Sequence, residues 1–366
     1  MRRAYIDWAR ALAVLVMIEA HTIDAWTRDA DRMSIAFRNA RIVGGFAAPL
    51  FLWLAGVSVA LSAASVVRRT GSRTAAVETI CRRGLEIFVL AFLFRIQAFI
   101  LSPGSELLTL FRVDILNVMG PAIVVAGLVW GAAGRSAVRA GSFAALTLAI
   151  SMLTPVVRVT KALDPLPAVV QWYLRPAGYQ TTFVLFPWAG FVFAGAAAGV
   201  LLAATEDARS ERRLQMMFGV VSVAIIALGV YTATLPSIYR DSFFWTSSPT
   251  YFAVRVGIVM AAVAGLYAVQ AVASARPAPF SWQKPLETIG RTSLFIYWIH
   301  VELVYGYATW PLHGRLPVWG ALVACGLFSI LMYRAAVAFD RFRQSYADAR
   351  QSRFRNRESQ GLKEAT

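Results

Sequence analysis

The sequence predicts an all-α, polytopic membrane protein with about ten transmembrane helices. Of its 366 residues, 58% are hydrophobic and 15% are charged, and the mean hydropathy is +0.58. This balance excludes an ordinary soluble domain. Apolar stretches also recur at about the length that crosses a bilayer core of ~30 Å. Finally, the basic residues cluster in alternate connections between these stretches, which is typical of a multi-span topology.

Ten stretches, taken in chain order, have the composition of a spanning helix. We predict them at residues 5–26, 42–66, 80–101, 113–133, 138–157, 180–204, 214–235, 251–273, 288–309 and 316–339. The piece between the fifth and sixth, 158–179, is rich in proline and suits a loop or a short interfacial helix. We expect one transmembrane domain, residues 1–340, followed by a polar, basic and disordered cytoplasmic tail, residues 341–366.

The net charge of +16 is explained by topology and not by nucleic acid. A ten-helix layout places most basic clusters on one side of the membrane, and the positive-inside rule makes that side the cytoplasm. Both termini are then cytoplasmic, and the clusters also attract anionic membrane lipids. We expect a multi-pass protein of the bacterial inner membrane, with no nucleic-acid partner. The largest cytoplasmic cluster consists of Arg68, Arg69, Arg73, Arg82 and Arg83.

The most informative stretch is the first helix, where Arg10 and His21 lie eleven residues apart. At about 100° and 1.5 Å per residue, they share one face and are offset by ~16 Å along the axis. Asp7 and Asp24 fall within roughly 60° of that face, whereas Glu19 points away. Intramembrane charges are costly and usually functional. We therefore take His21 as a candidate general base whose ring Asp24 orients.

Further polar residues lie in the outer halves of other predicted helices. Asp114 is expected to neutralise Arg95, Arg112 or Arg255. In the ninth helix, helical spacing places Ser293, Tyr297, His300, Val304 and Tyr307 on one face, with Arg291 and Glu302 on another. The candidates for supporting the site or stabilising an oxyanion are Arg95, Asp114, Arg255, Ser293, Tyr297 and His300. Two cysteines and three histidines, all scattered, predict neither a disulfide framework nor a metal site.

Residues 7–21, DWARALAVLVMIEAH, resemble the first-helix signature of the transmembrane acyltransferase superfamily, an Arg and a His separated by ten residues. Four further segments are similar to its heparan-α-glucosaminide N-acetyltransferase-like branch. They are APLFLWLAGVSVALS (48–62), VDILNVMG (113–120), LFPWAGFVFAGAAAG (185–199) and IGRTSLFIYWIHVELVYG (289–306). The resemblance implies that His21 is the catalytic base or acyl relay, and that Arg10 contacts acyl-CoA.

The expected function is therefore transfer of an acyl group, expected to be acetyl, from cytosolic acyl-CoA. The acceptor is a hydroxyl or amine of a glycan, a lipid-linked compound or a small molecule. Arg82 and Arg83 are candidates for binding the phosphates of acyl-CoA. A secondary transporter or lipid-handling protein, or a non-catalytic membrane protein, remains an alternative. Small residues in AGFVFAGAAAG could pack helices within one chain or form a homo-oligomer.

Overall fold

A computed structural model describes residues 3–101, 106–276 and 280–364, with side chains described as far as Tyr346. These residues form thirteen α-helices joined by loops and short 3-10 turns, and the described part contains no β-strand. Contacts within the chain define two compact units. The first unit comprises Met1–Gly44 and Ala278–Thr366, and the second comprises Gly45–Pro277.

The first unit is built around the N-terminal helix, α1. Its helices are α1 (Ala4–Trp26), α2 (Ile35–Gly44), α11 (Gln283–Arg291), α12 (Ser293–Tyr305) and α13 (Val318–Glu364). Aromatic residues anchor α1 at both ends, since Trp8 packs edge-on against Trp282 and Trp26 against Phe328. The Trp26 indole also donates to the Val304 carbonyl.

Close approach between α1 and α11 depends on one glycine. A Cβ added at Gly290 would lie 2.0 Å from the carbonyl oxygen of Asp7, so no other residue fits there without displacing backbone. Near the other end of α1, two loop segments pair through backbone hydrogen bonds from Leu316 to Trp26 and from Arg28 to Leu316. These contacts fix α1 relative to the C-terminal helices of its unit.

The second unit contains the remaining eight helices. They are α3 (Ala47–Thr70), α4 (Arg73–Leu101), α5 (Ile115–Ala132), α6 (Ser136–Val159), α7 (Ala168–Leu174), α8 (Leu185–Ala203), α9 (Ala208–Ala233) and α10 (Pro249–Ser274). α3 and α8 cross at backbone contact, because a Cβ at Gly56 would lie 1.9 Å from Val192 O and one at Gly195 would lie 1.8 Å from Trp53 O. Small residues of AGFVFAGAAAG therefore pack helices within this chain.

The structure confirms an all-α, polytopic architecture. Eight helices among the described residues are long and apolar enough to cross a membrane. α1, although 23 residues long, is interrupted by charged residues. The predicted span at 288–309 is not formed by a single long helix. The topology of the termini, the domain limit at residue 340 and the disorder of the tail remain predictions; the backbone of α13 continues to Glu364.

The ninth predicted helix is not continuous. α11 ends at Arg291 and α12 begins at Ser293, with Thr292 between them at φ −100° and ψ 16°. The Thr292 hydroxyl donates to the Thr288 carbonyl and so competes with the helical ladder at this point. Because α12 ends at Tyr305, the prediction that Tyr307 continues its polar face is wrong. Tyr307 instead begins a 3-10 turn.

The connection after α1 also differs from the expected loop. It contains α2, a ten-residue helix whose Phe37 packs with Ile23 and Val318 in a small buried cluster. Its opposite side exposes Ile42 and Val43. The piece between α6 and α8 agrees with the prediction, because it holds the short helix α7.

Candidate functional site

His21 and Asp24 are brought together through a third residue, Tyr305. The two α1 side chains lie less than one helical turn apart, and Tyr305 reaches them from the last position of α12. The Tyr305 hydroxyl lies 3.1 Å from His21 Nδ1 and donates to Asp24 Oδ2 at 3.0 Å. The hydrogen-bonded path from the carboxylate to the imidazole therefore passes through the tyrosine, and the expectation of a direct orienting contact is corrected to this extent.

This arrangement selects a tautomer of His21. A carboxylate only accepts hydrogen bonds, so the single hydroxyl proton of Tyr305 points at Asp24. The tyrosine oxygen then faces His21 as an acceptor, and Nδ1 of a neutral His21 carries the proton. The free lone pair of the ring therefore lies on Nε2. A general base or a nucleophile needs such a lone pair.

Asp24 is held in turn by Arg41 of α2 and by Arg32, which lies in the segment before α2. Arg41 donates to Asp24 Oδ1 at 2.7 Å, and Arg32 donates to the Asp24 carbonyl at 2.7 Å. Sequence reasoning missed both Tyr305 and Arg41 as members of this site. The signal for Arg41 is the spacing of Phe37, Ala40 and Gly44, which predicts an amphipathic helix in what was expected to be a loop.

His300 lies beside His21, with ring centroids 5.3 Å apart, and it is fully buried. Its Nδ1 lies 2.9 Å from the Ile296 carbonyl and 2.8 Å from that of Tyr297. Because carbonyls only accept, Nδ1 is the protonated nitrogen and Nε2 is an acceptor. No described residue forms a hydrogen bond to that Nε2. A neutral His300 thus offers an acceptor beside His21, not the donor that an oxyanion needs.

The other predicted residues of this unit occupy different positions. Tyr297 packs against His300, with ring centroids 5.9 Å apart, while Ser293 lies two helical turns before His300 on α12. Arg10 forms an ion pair with Asp7 at 3.1 Å and retains 30% side-chain exposure. Gly290 contacts the backbone of Asp7. The crossing of α1 and α11 therefore positions the part of α1 that carries Asp7 and Arg10.

The remaining predicted residues belong to the second unit. Arg82 and Arg83 are exposed on α4 and both pair with Glu86. Arg95 pairs with Asp114, which decides among the three partners considered for that carboxylate. Asp114 also caps α5 in a reciprocal hydrogen-bonded arrangement with Asn117.

The Asp114 cluster extends into the loop region of the same unit. Asn117 donates to the Tyr173 hydroxyl at 3.4 Å. Burial raises the pKa of Tyr173, and the hydrogen bond from Asn117 opposes that shift. The side chains of Arg95, Asp114, Asn117 and Tyr173 thus bind one another and the start of α5. The cluster therefore has the character of a structural connection between α4, α5 and α7.

The site of the first unit consists of groups that are suited to proton transfer. No group of three or more His, Cys, Asp or Glu side chains that could hold a metal ion occurs in the described part of the chain. What the unit does offer is an imidazole with a fixed tautomer, connected through a phenol to a carboxylate and a guanidinium. This order of groups stabilises the imidazolium that forms when a histidine removes a proton.

Comparison with known proteins identifies the family of the chain. No curated protein matches the chain. A family profile described as heparan-alpha-glucosaminide N-acetyltransferase, catalytic, matches residues 2–236. This range contains α1 with His21 and Asp24, as well as α2 with Arg41. The chain, a multi-pass membrane protein of the acyltransferase class, therefore belongs to the heparan-alpha-glucosaminide N-acetyltransferase catalytic family.

Proposed function

We propose that this protein transfers an acetyl group from acetyl-CoA to a hydroxyl or amine of a glycan, lipid-linked or small acceptor. Acetyl-CoA is the donor used by acetyltransferases of this family. The observation that carries the proposal is the hydrogen-bonded series Arg41, Asp24, Tyr305 and His21. Its members His21 and Asp24 lie on α1, the helix whose Arg and His spacing resembles the superfamily signature.

His21 Nε2 is the group that acts on the substrates. As the acceptor oxygen or nitrogen attacks the thioester carbonyl, Nε2 takes its proton, and the intermediate then expels the CoA thiolate, which receives that proton. In the covalent alternative, Nε2 itself attacks the thioester and CoA leaves as the thiolate. The acceptor oxygen or nitrogen then displaces the acyl group from the imidazole, and the acceptor proton passes by way of the ring to the thiolate. In both routes the ring gains positive charge, which Asp24 stabilises through Tyr305.

Arg10 suits the other end of the donor. It lies on the same helix face as His21, offset by ~16 Å, and its guanidinium is partly exposed beside Asp7. Arginine binds phosphate oxygens through several N–H groups at once. In the predicted topology Arg10 faces the cytoplasm, where acyl-CoA is made, and Arg82 and Arg83 are further candidates for its phosphates. The acyl group would then move away from the cytoplasmic side.

The decisive experiment compares two histidine variants of the purified full-length protein. With radiolabelled acetyl-CoA and glucosamine, which carries both an amine and hydroxyls, His21→Ala is expected to lower kcat by about 10²–10⁴-fold. His313→Ala, a change of a histidine outside the proposed site in the same unit, is expected to keep near wild-type activity. Mass spectrometry of the product separates N- from O-acetylation.

Stability measurements make the outcome interpretable. Acetyl-CoA should raise the thermal midpoint of wild type and of His21→Ala, since the histidine acts on the thioester and not on the phosphates. If a folded His21→Ala protein transfers acetyl groups at the wild-type rate, the assignment of His21 is wrong. A wild-type protein that neither binds nor consumes acetyl-CoA would instead favour the transporter alternative.

A further inference from the structure

A second polar feature, distant in sequence from the His21 site, is the arginine on α10 of the second unit. Arg255 is half-buried, and its guanidinium lies over the rings of Tyr251 and Trp188, at 4.7 and 5.1 Å from their centroids. Phe191 adds a third ring at 6.0 Å. One guanidinium nitrogen donates to the Gly45 carbonyl at 3.1 Å.

Arg255 forms no ion pair with any carboxylate in the described part of the chain. Its buried Nε–H has no hydrogen-bond acceptor among those residues, a feature that it shares with Arg95 and Arg158, so the missing counter-ion is what distinguishes Arg255. Arg95 in the same unit provides the contrast, because Asp114 neutralises it. A guanidinium that is partly withdrawn from water without a counter-ion loses hydration that no carboxylate replaces, so a purely structural role would favour a paired arginine here.

The aromatic rings lower this cost only in part. Cation–π contacts stabilise a guanidinium by about 0.5–2 kcal/mol. Of its in-plane N–H groups, one donates to Gly45 and one is hydrogen-bonded to Tyr251, which leaves others for a ligand. A ring-lined arginine with donors remaining is suited to an anion that approaches in the guanidinium plane. Guanidinium N–H groups match phosphate oxygens particularly well.

We propose that Arg255 is the anchoring cation of a binding site for a phosphate-type oxyanion, with Trp188 and Tyr251 as its walls. The two sources of such a group around a membrane protein are a phospholipid headgroup and a soluble phosphate ester. Because Arg255, Trp188 and Tyr251 belong to the second unit, whereas the proposed proton-transfer residues belong to the first, this site is additional to the acetyltransferase chemistry proposed above. Its test does not depend on that activity.

The experiment uses the full-length protein in phosphatidylcholine nanodiscs and measures its thermal midpoint in two titrations. One adds increasing fractions of phosphatidylglycerol to the discs, and the other adds glycerol 3-phosphate to discs of phosphatidylcholine alone. We expect saturable stabilisation of wild type in one titration, which identifies the source. Arg255→Gln should weaken the apparent affinity at least ~10-fold, as expected for the loss of charge-assisted hydrogen bonds.

Two controls separate this site from general charge effects. Arg240→Gln removes an exposed arginine of the same unit and should leave the affinity unchanged, and His21→Ala should do the same. If Arg255→Gln does not fold, Arg255→Lys replaces it, and we expect a several-fold weaker affinity because lysine lacks the planar fork. The proposal is overturned if neither titration stabilises wild type, or if the folded Arg255 variant binds as tightly as wild type.

Discussion

The two units place charged residues in apolar helices in contrasting ways. In the first unit, Asp24 is shared between Arg41 and Tyr305, and the tyrosine connects it to the imidazole of His21. In the second unit, Asp114 closes on Arg95 and on the start of its own helix. A carboxylate connected to a group that can exchange a proton supports chemistry. A carboxylate whose partners are backbone N–H groups and a permanent cation stabilises the fold.

The largest expected effect concerns the packing of the second unit. Gly195→Ala places a Cβ 1.8 Å from the Trp53 carbonyl oxygen, so α3 and α8 must separate, and we expect a loss of more than about 3 kcal/mol in the free energy of unfolding. Gly219→Ala is the matched control, because nothing lies within 4 Å of its Cβ position. Equal thermal midpoints for the two purified variants would refute the close crossing.

The next effect tests whether the Asp114 pair stabilises the fold. Asp114→Asn keeps a side chain that can cap α5 but leaves Arg95 without its counter-ion, and we expect a loss of about 3 kcal/mol. Asp164→Asn breaks the more exposed pair with Arg175 and should cost less than ~1 kcal/mol. Denaturation of the two variants side by side measures the difference, and similar losses would contradict the assignment.

In the first unit, removing the hydroxyl of Tyr305 tests the connection between Asp24 and His21 most directly. Tyr305→Phe removes the connection between Asp24 and His21 while keeping the ring, and kcat should fall by about 10–100-fold, since the hydrogen bond is to a charged group. The KM for acetyl-CoA should not change. Tyr307→Phe alters an exposed tyrosine of the adjacent turn and serves as the control. Unchanged kcat in Tyr305→Phe would show that the carboxylate does not act through the tyrosine.

The smallest effect is expected at Arg41. Its side chain is 56% exposed, so solvent screens its attraction to Asp24, and Arg41→Gln should lower kcat only about 2–5-fold. Arg38→Gln, on the same helix, should have no effect. The difference between Arg41→Gln and wild type should shrink at high ionic strength. An effect that is independent of salt would indicate that Arg41 acts by packing instead of charge.

Much of the fold followed from local pattern. Apolar length predicted most of the spanning helices, and the functional role of the face shared by Arg10 and His21 stays a prediction. The ninth helix failed because hydropathy averages over a window, and that average conceals a break at a single residue, Thr292. The helix α2 was missed for a related reason, since its apolar residues are too few to stand out beside ten long spans.

The sequence by itself determined the membrane class, the family and the helix that carries His21, because hydropathy, charge and motif spacing are properties of consecutive residues. Only the tertiary structure decided which groups complete the site. Tyr305 is 284 residues from His21 along the chain, and nothing in local spacing specifies that contact. It arises because α1 and α12 pack together. The apolar pattern of each segment specifies that it forms a helix, and the packing of the helices then decides which polar side chains meet.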